Sequence, residues 1–130
     1  MKEVVENLLA RSLQALAIEP PERDSLAVER SRNPEHGDFA SNAALVLAAA
    51  TGERPRALAE RIRAALPPSE LVAKTEIAGP GFLNFFLAPA AWQAELARIL
   101  AAGESYGRSE AGSGRRVLLE FVSANPTGPL

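Results

Sequence analysis

Glu120 lies inside the apolar run Val117-Leu118-Leu119-Glu120-Phe121-Val122, and Ser123 and Asn125 follow it closely. A carboxylate buried in such a strand without a partner costs several kcal/mol, so something cationic should meet it. Two readings fit: a structural salt bridge, or a site for a cationic ligand at the carboxyl end of a strand, where open α/β sheets bind their ligands. The Ser123 hydroxyl and the Asn125 amide could orient polar atoms of such a ligand. These types and spacings alone do not choose between the two.

A second cluster is basic. Arg54, Arg56, Arg61 and Arg63 fall within one short stretch, and twelve of the fourteen basic residues are arginine. Guanidinium groups so grouped could neutralise phosphates, or they could form a solvated helix face punctuated by Glu60. The net charge of −2 argues against a globally basic, nucleic-acid-coated surface but leaves local patches open.

Other chemistries are excluded or disfavoured. The chain has no cysteine and one histidine, so disulfides and thiolate metal sites are out, and neither a metal nor a cofactor is expected to reside here. His36 reads as a surface loop residue. Gly79 and Gly81 flank Pro80 for turn geometry rather than for cradling phosphate. The longest apolar stretch, residues 43–50, is far too short to cross a bilayer, and Glu3 and Glu6 interrupt any export leader. A soluble, cytoplasmic protein with no membrane partner is the expectation.

The elements that must position these residues follow from periodicity. At 130 residues the chain should hold one complete domain plus short additions. Val5, Leu8, Leu9, Leu13 and Leu16 recur at helical spacing, predicting a helix over 1–17 that ends before Pro20-Pro21. Residues 25–30 alternate like a short strand, and 31–37 read as a loop. Asp38 can cap a buried, alanine-rich helix beginning at Phe39 and closed by Thr51-Gly52. Pro55 opens a third helix with Leu58, Ile62, Ala65 and Leu66 inward, stopped by Pro67-Pro68.

The period then shifts to two. Residues 72–78 and 82–87 form a predicted hairpin around Gly79-Pro80-Gly81, with Phe82, Asn84 and Phe86 on one face and Leu83, Phe85 and Leu87 on the other. Pro89 opens a last helix with Trp92, Leu96, Ile99 and Leu100 at helical spacing, Trp92 expected in the core, and Gly103 placed as terminator. Residues 107–116 read as a linker, and the run 117–122 as a strand covered on both faces, without its crossover partner. The fold class is therefore α+β: a small antiparallel sheet packed with about four helices over 1–106, a linker over 107–116, and one orphan strand of a Rossmann-type domain in 117–130.

The segment EFVSANPTGPL resembles the opening of the catalytic domain of arginyl-tRNA synthetases, where it leads into the family's HIGH-type ATP signature. NPEHGDFASNAAL is similar to a helix-opening motif of the same family, and IAGPGFLNFFL to the hairpin of its additional N-terminal domain. The resemblance implies a parent class I enzyme that activates L-arginine with ATP and magnesium and transfers it to arginine tRNA, with activation requiring bound tRNA. It places Glu120 near the arginine guanidinium and Ser123 and Asn125 around the amino-acid end of the substrate. It places Phe82 and Asn84 against a base of the tRNA D-loop, and stacking plus an amide hydrogen bond is a sensible way to read an unpaired base.

The HIGH-type histidines, the KMSKS-like loop and the anticodon-binding domain have no counterpart in these 130 residues, so the expectation is an inactive piece with no catalytic residue, ATP being a substrate of the parent alone. The parent is expected to be monomeric, and an exposed strand at 117–122 could pair with another chain. The competing expectation is a protein-interaction or scaffold domain without RNA contact, favoured by the acidic balance.

Overall fold

Helix α1, Lys2–Ala15, buries Val5, Leu8, Leu9 and Leu13 along one stripe, as their spacing requires. Ser12 shares that stripe, fully buried, and its hydroxyl donates to the Ile62 carbonyl at 2.7 Å. Ala17 then takes a left-handed φ of 54° and ends the helix before Pro20. These coordinates come from a computed structural model, and it describes residues 1–20, 26–110, 112–116 and 118–119.

Strand β1, Val28–Arg30, is shorter than the alternation at 25–30 suggests, and Ser25 lies outside the described residues. The loop after it contains a single 3-10 turn, Pro34–His36, whose Asn33 side chain accepts from the Glu35 amide. The expected helix start at Phe39 is wrong. Phe39–Ser41 is a strand, β2, and helix α2 spans only Ala43–Thr51.

Asp38 consequently caps nothing. Its amide donates to the Phe85 carbonyl at 2.8 Å, and its carboxylate accepts from the Leu87 amide at 2.7 Å. The α2 start is served instead by Ser41, whose hydroxyl accepts from the Ala43 amide. The short strand was masked by its alanine-rich context: three residues carry too little period-two signal to compete with a helical composition.

Helix α3, Pro55–Ala64, has proline in its first turn and buries Leu58, Ala59 and Ile62. Strands β3, Val72–Ala78, and β4, Phe82–Leu87, form the expected hairpin with the expected bounds. The sheet order is β1-β2-β4-β3, antiparallel throughout, so β4 is central. Val28, Phe39, Ser41, Leu83 and Phe85 point inward, and the core unites them with α1, α2 and α3. The result is an α+β domain: among the described residues, four helices and a four-stranded antiparallel sheet.

Helix α4, Pro89–Ala102, has the predicted bounds, but only Ala91 is buried. Trp92 is 44 % exposed and Leu100 74 % exposed, so the expected core role of Trp92 does not hold. Helical spacing identifies one shared apolar face without saying what covers it. A polar cluster fixes α4 against the N-terminus: Glu95 accepts the Tyr106 hydroxyl at 2.7 Å and lies 3.3 Å from Arg98 and 3.9 Å from the terminal ammonium. The Tyr106 bond, aided by the Arg98 and terminal charges, holds the Glu95 carboxyl below its ordinary range despite some desolvation. The same bond raises the Tyr106 phenol. Beyond α4, Leu118 and Leu119 are exposed and carry no regular structure, and the rest of the expected strand at 117–122 lies outside the described residues.

Two expectations follow. Gly37 has φ +78°, and a methyl group there would sit 2.6 Å from the Phe85 carbonyl oxygen. Gly37→Ala should therefore cost more than about 1 kcal/mol through combined backbone strain and forced separation of β2 from β4. Urea denaturation checks this, and an unchanged midpoint would contradict it. Tyr106→Phe should return the Glu95 pKa toward the ordinary carboxylate value. A depressed carboxyl pKa stabilises the fold above the unfolded-state pKa, and that contribution is lost as pH falls through the folded value. The variant should lose part of this acid-side dependence; an unaltered Glu95 titration by carbon NMR would exclude the Tyr106 bond as its main cause.

Candidate nucleic-acid interface

Because β4 is central and its odd-numbered residues Leu83, Phe85 and Leu87 enter the core, Phe82, Asn84 and Phe86 must share the opposite face. The pairing register lays out their neighbours: Phe82 opposite Ala78, Asn84 between Ala40 and Glu76, and Phe86 opposite Lys74. The Lys74 ammonium sits 4.1 Å above the Phe86 ring and pairs with Glu76 at 2.6 Å. This end of the face is thus occupied by an internally balanced cation and acid.

Phe82 is different. It is 40 % exposed, and no cation lies over its ring among the described residues. An aromatic face held on a strand and open to solvent is a platform for stacking a planar ligand. Asn84, between Phe82 and Phe86 on the same strand face, is only 4 % exposed. Its side chain makes no hydrogen bond to any described residue, yet no described polar side-chain atom is sealed from solvent without a partner. Its amide therefore keeps some contact with solvent, with donor and acceptor both unpaired. The sequence expectation brought Phe82 and Asn84 onto one face, and the structure does so; it did not anticipate the depth of Asn84 or the Lys74 cover on Phe86. That cover had a signal, since a lysine two residues before Glu76 falls opposite Phe86 once the hairpin register is fixed.

The turn joining β3 to β4 is clamped by α3. Arg56 donates to the Gly79 carbonyl at 2.9 Å, and a methyl group on Gly81 would lie 3.0 Å from the Pro55 carbonyl. The basic stretch of α3 is therefore brought against the hairpin that carries Phe82. Glu120, Ser123 and Asn125 lie outside the described residues. His36 is exposed at the end of its 3-10 turn. Among the described residues no group of three or more histidines, cysteines or acids is arranged to hold a metal, and no helix is long and apolar enough to cross a membrane.

Comparison with known proteins gives a consistent result. The family model described as the arginyl tRNA synthetase N terminal domain matches residues 3–87. A protein named arginine–tRNA ligase from Coxiella burnetii is 48 % identical over 134 residues, covering 100 % of this chain and 23 % of the relative. One of the same name from Halorhodospira halophila is 53 % identical over 135 residues, with the same coverage. The chain thus spans about a quarter of the length of these relatives. Among solved structures, the arginyl-tRNA synthetase of Thermus thermophilus superposes with a TM-score of 0.61 at 27 % identity, covering 73 % of this chain and 15 % of that one. The Plasmodium falciparum arginyl-tRNA synthetase superposes with a TM-score of 0.63 at 16 % identity, covering 75 % of this chain and 18 % of that one, and supports the fold alone.

The lack of internal partners for Asn84 has a direct consequence for stability. Asn84→Leu removes no hydrogen bond and keeps the same branched side-chain skeleton, so unfolding free energy should change by less than about 1 kcal/mol. A loss above about 2 kcal/mol in urea would show that the amide has a structural role.

Proposed function

The chain belongs to the arginyl-tRNA synthetase N-terminal domain family, and from that membership we propose that it is the tRNA-contacting module of an arginine–tRNA ligase. The observation that carries this reading is the pairing of an exposed ring, Phe82, with an unpartnered amide, Asn84, on the open face of the central strand. A base flipped out of a tRNA D-loop stacks on Phe82 and offers its edge to Asn84. An RNA loop suits such a site because its bases are already unstacked and present both a π-face and hydrogen-bonding edges.

In this reading residues 1–106 form the RNA-contacting unit, 107–116 a linker, and 117–130 the first portion of a class I catalytic domain. Glu120 then meets the substrate guanidinium as a charge-assisted pair, with Ser123 and Asn125 at the amino-acid end. Arginine and ATP, with magnesium, are substrates of the parent enzyme in the cytoplasm, and these 130 residues alone do not aminoacylate. A second reading, a protein-docking module, is favoured by the exposed apolar stripe of α4, including Trp92, Leu96 and Leu100. Salt separates them, since phosphate-dependent binding weakens steeply as salt rises and an apolar interface does not.

Titration with arginine tRNA at 50 and 200 mM salt should therefore give salt-sensitive binding, weakened about fivefold or more by Phe82→Ala because base–aromatic stacking contributes about 1–3 kcal/mol. Asn84→Leu, which should preserve the fold, is expected to weaken binding by a similar factor. Binding unaffected by either substitution, or no binding at 50 mM salt, would sink the reading.

A further inference from the structure

The four arginines of the α3 region are not equivalent. Arg61 is paired with Glu53, and Arg63 lies 2.7 Å from Glu60. Arg54 and Arg56 are exposed and have no acidic partner among the described residues. They are also the two that flank Pro55, where α3 touches the hairpin turn. Arg56 spends one guanidinium N–H on the Gly79 carbonyl, which fixes its position and leaves its charge and remaining donors available. Phe82 begins one residue after Gly81, whose backbone abuts Pro55.

We propose that Arg54 and Arg56 bind the phosphodiester backbone of the RNA loop whose base stacks on Phe82; this rests on the reading of Phe82 and Asn84 as base contacts. The ligand class follows from the chemistry. Guanidinium forks match phosphate oxygens in geometry as well as charge. A protein acid could satisfy the same groups, but it would not explain why the free pair lies beside an open aromatic ring. Nucleotides present a ring and a phosphate together. The acids of this region divide the surface further: Glu53 and Glu60 are matched to Arg61 and Arg63, so the uncompensated positive charge is confined to the hairpin end of α3. Phosphate contacts there would set the position of the strand, while Phe82 and Asn84 would take the base.

The test uses the 130-residue chain and arginine tRNA over a salt series, with four arginine variants. Arg54→Ala removes a side chain that makes no hydrogen bond to described residues, and Arg56→Gln removes the charge while keeping a polar side chain beside the turn that Arg56 clamps. Each should reduce the slope of log affinity against log salt by about 0.7–0.9 and weaken binding about five- to tenfold at low salt, the signature of one lost phosphate contact. Arg61→Ala and Arg63→Ala, on residues already paired with acids, should leave the slope unchanged. Parental slopes in Arg54→Ala and Arg56→Gln, with binding still lost in Phe82→Ala, would overturn this inference alone. Equal slope changes in all four arginine variants would also overturn it, replacing a local phosphate site with diffuse attraction. Insensitivity to both Phe82 and the arginines, or no binding, would overturn the base-contact reading as well.

Discussion

The placement of β4 in the middle of the sheet constrains nearly everything else in this domain. A central strand with a helical layer on one side must give alternate residues to the core, and Leu83, Phe85 and Leu87 do so. The same alternation leaves Phe82, Asn84 and Phe86 facing outward with no freedom to choose. A one-residue slip in register would exchange the two sets, burying the asparagine among leucines and exposing Phe85. Core packing therefore acts as the guarantor of the candidate site's geometry.

Several local devices hold that register. Gly37 lets the chain pass so close to Phe85 that no side chain fits, and Asp38 then extends the β2–β4 pairing with one backbone and one side-chain hydrogen bond. At the opposite end of the strand, Gly81 permits close approach to Pro55 while Arg56 grips the Gly79 carbonyl. Ser12 ties α1 to the carbonyl of Ile62 across the core. Each device links elements far apart in sequence. Rigid support of this kind matters for a shallow surface site, because stacking and amide bonding lose their benefit when the protein must first be ordered.

How far the sequence alone reveals this arrangement depends on the length of each signal. The hairpin and α3 were readable to the residue or nearly so, because glycine and proline punctuate them and their periods are long enough to count. Strand β2 was not, since Phe39-Ala40-Ser41 is three residues set against an alanine-rich helix. Asp38 followed from the same error: an acid before an apparent helix looks like a cap, and only the tertiary pairing with Leu87 reveals its actual acceptor role. Trp92 failed for another reason, as amphipathicity gives the direction of an apolar face but not its cover. For the site, strand parity was enough to put Phe82 and Asn84 together, whereas the difference between an open ring and a nearly buried amide needed the neighbouring strands.

The acidic balance of the chain, sixteen acids against fourteen basic residues, does not conflict with binding a polyanion once charge is considered locally. Screening at physiological ionic strength limits exposed charges to a range of about 8 Å, so a phosphate senses its neighbours rather than the total. Beside Asn84 the neighbouring charges are Glu76 and Lys74, which offset one another. A charge-balanced surface of that kind offers little attraction to a phosphate and no penalty to a neutral base, and Glu76 adds an acceptor that an exocyclic amino group could use. At the start of α3 the balance is reversed, since Arg54 and Arg56 remain without acids while their helix neighbours are matched. Charge placement thus separates a balanced region around Asn84 from a positive one at the start of α3, and the net charge of the protein says nothing about either.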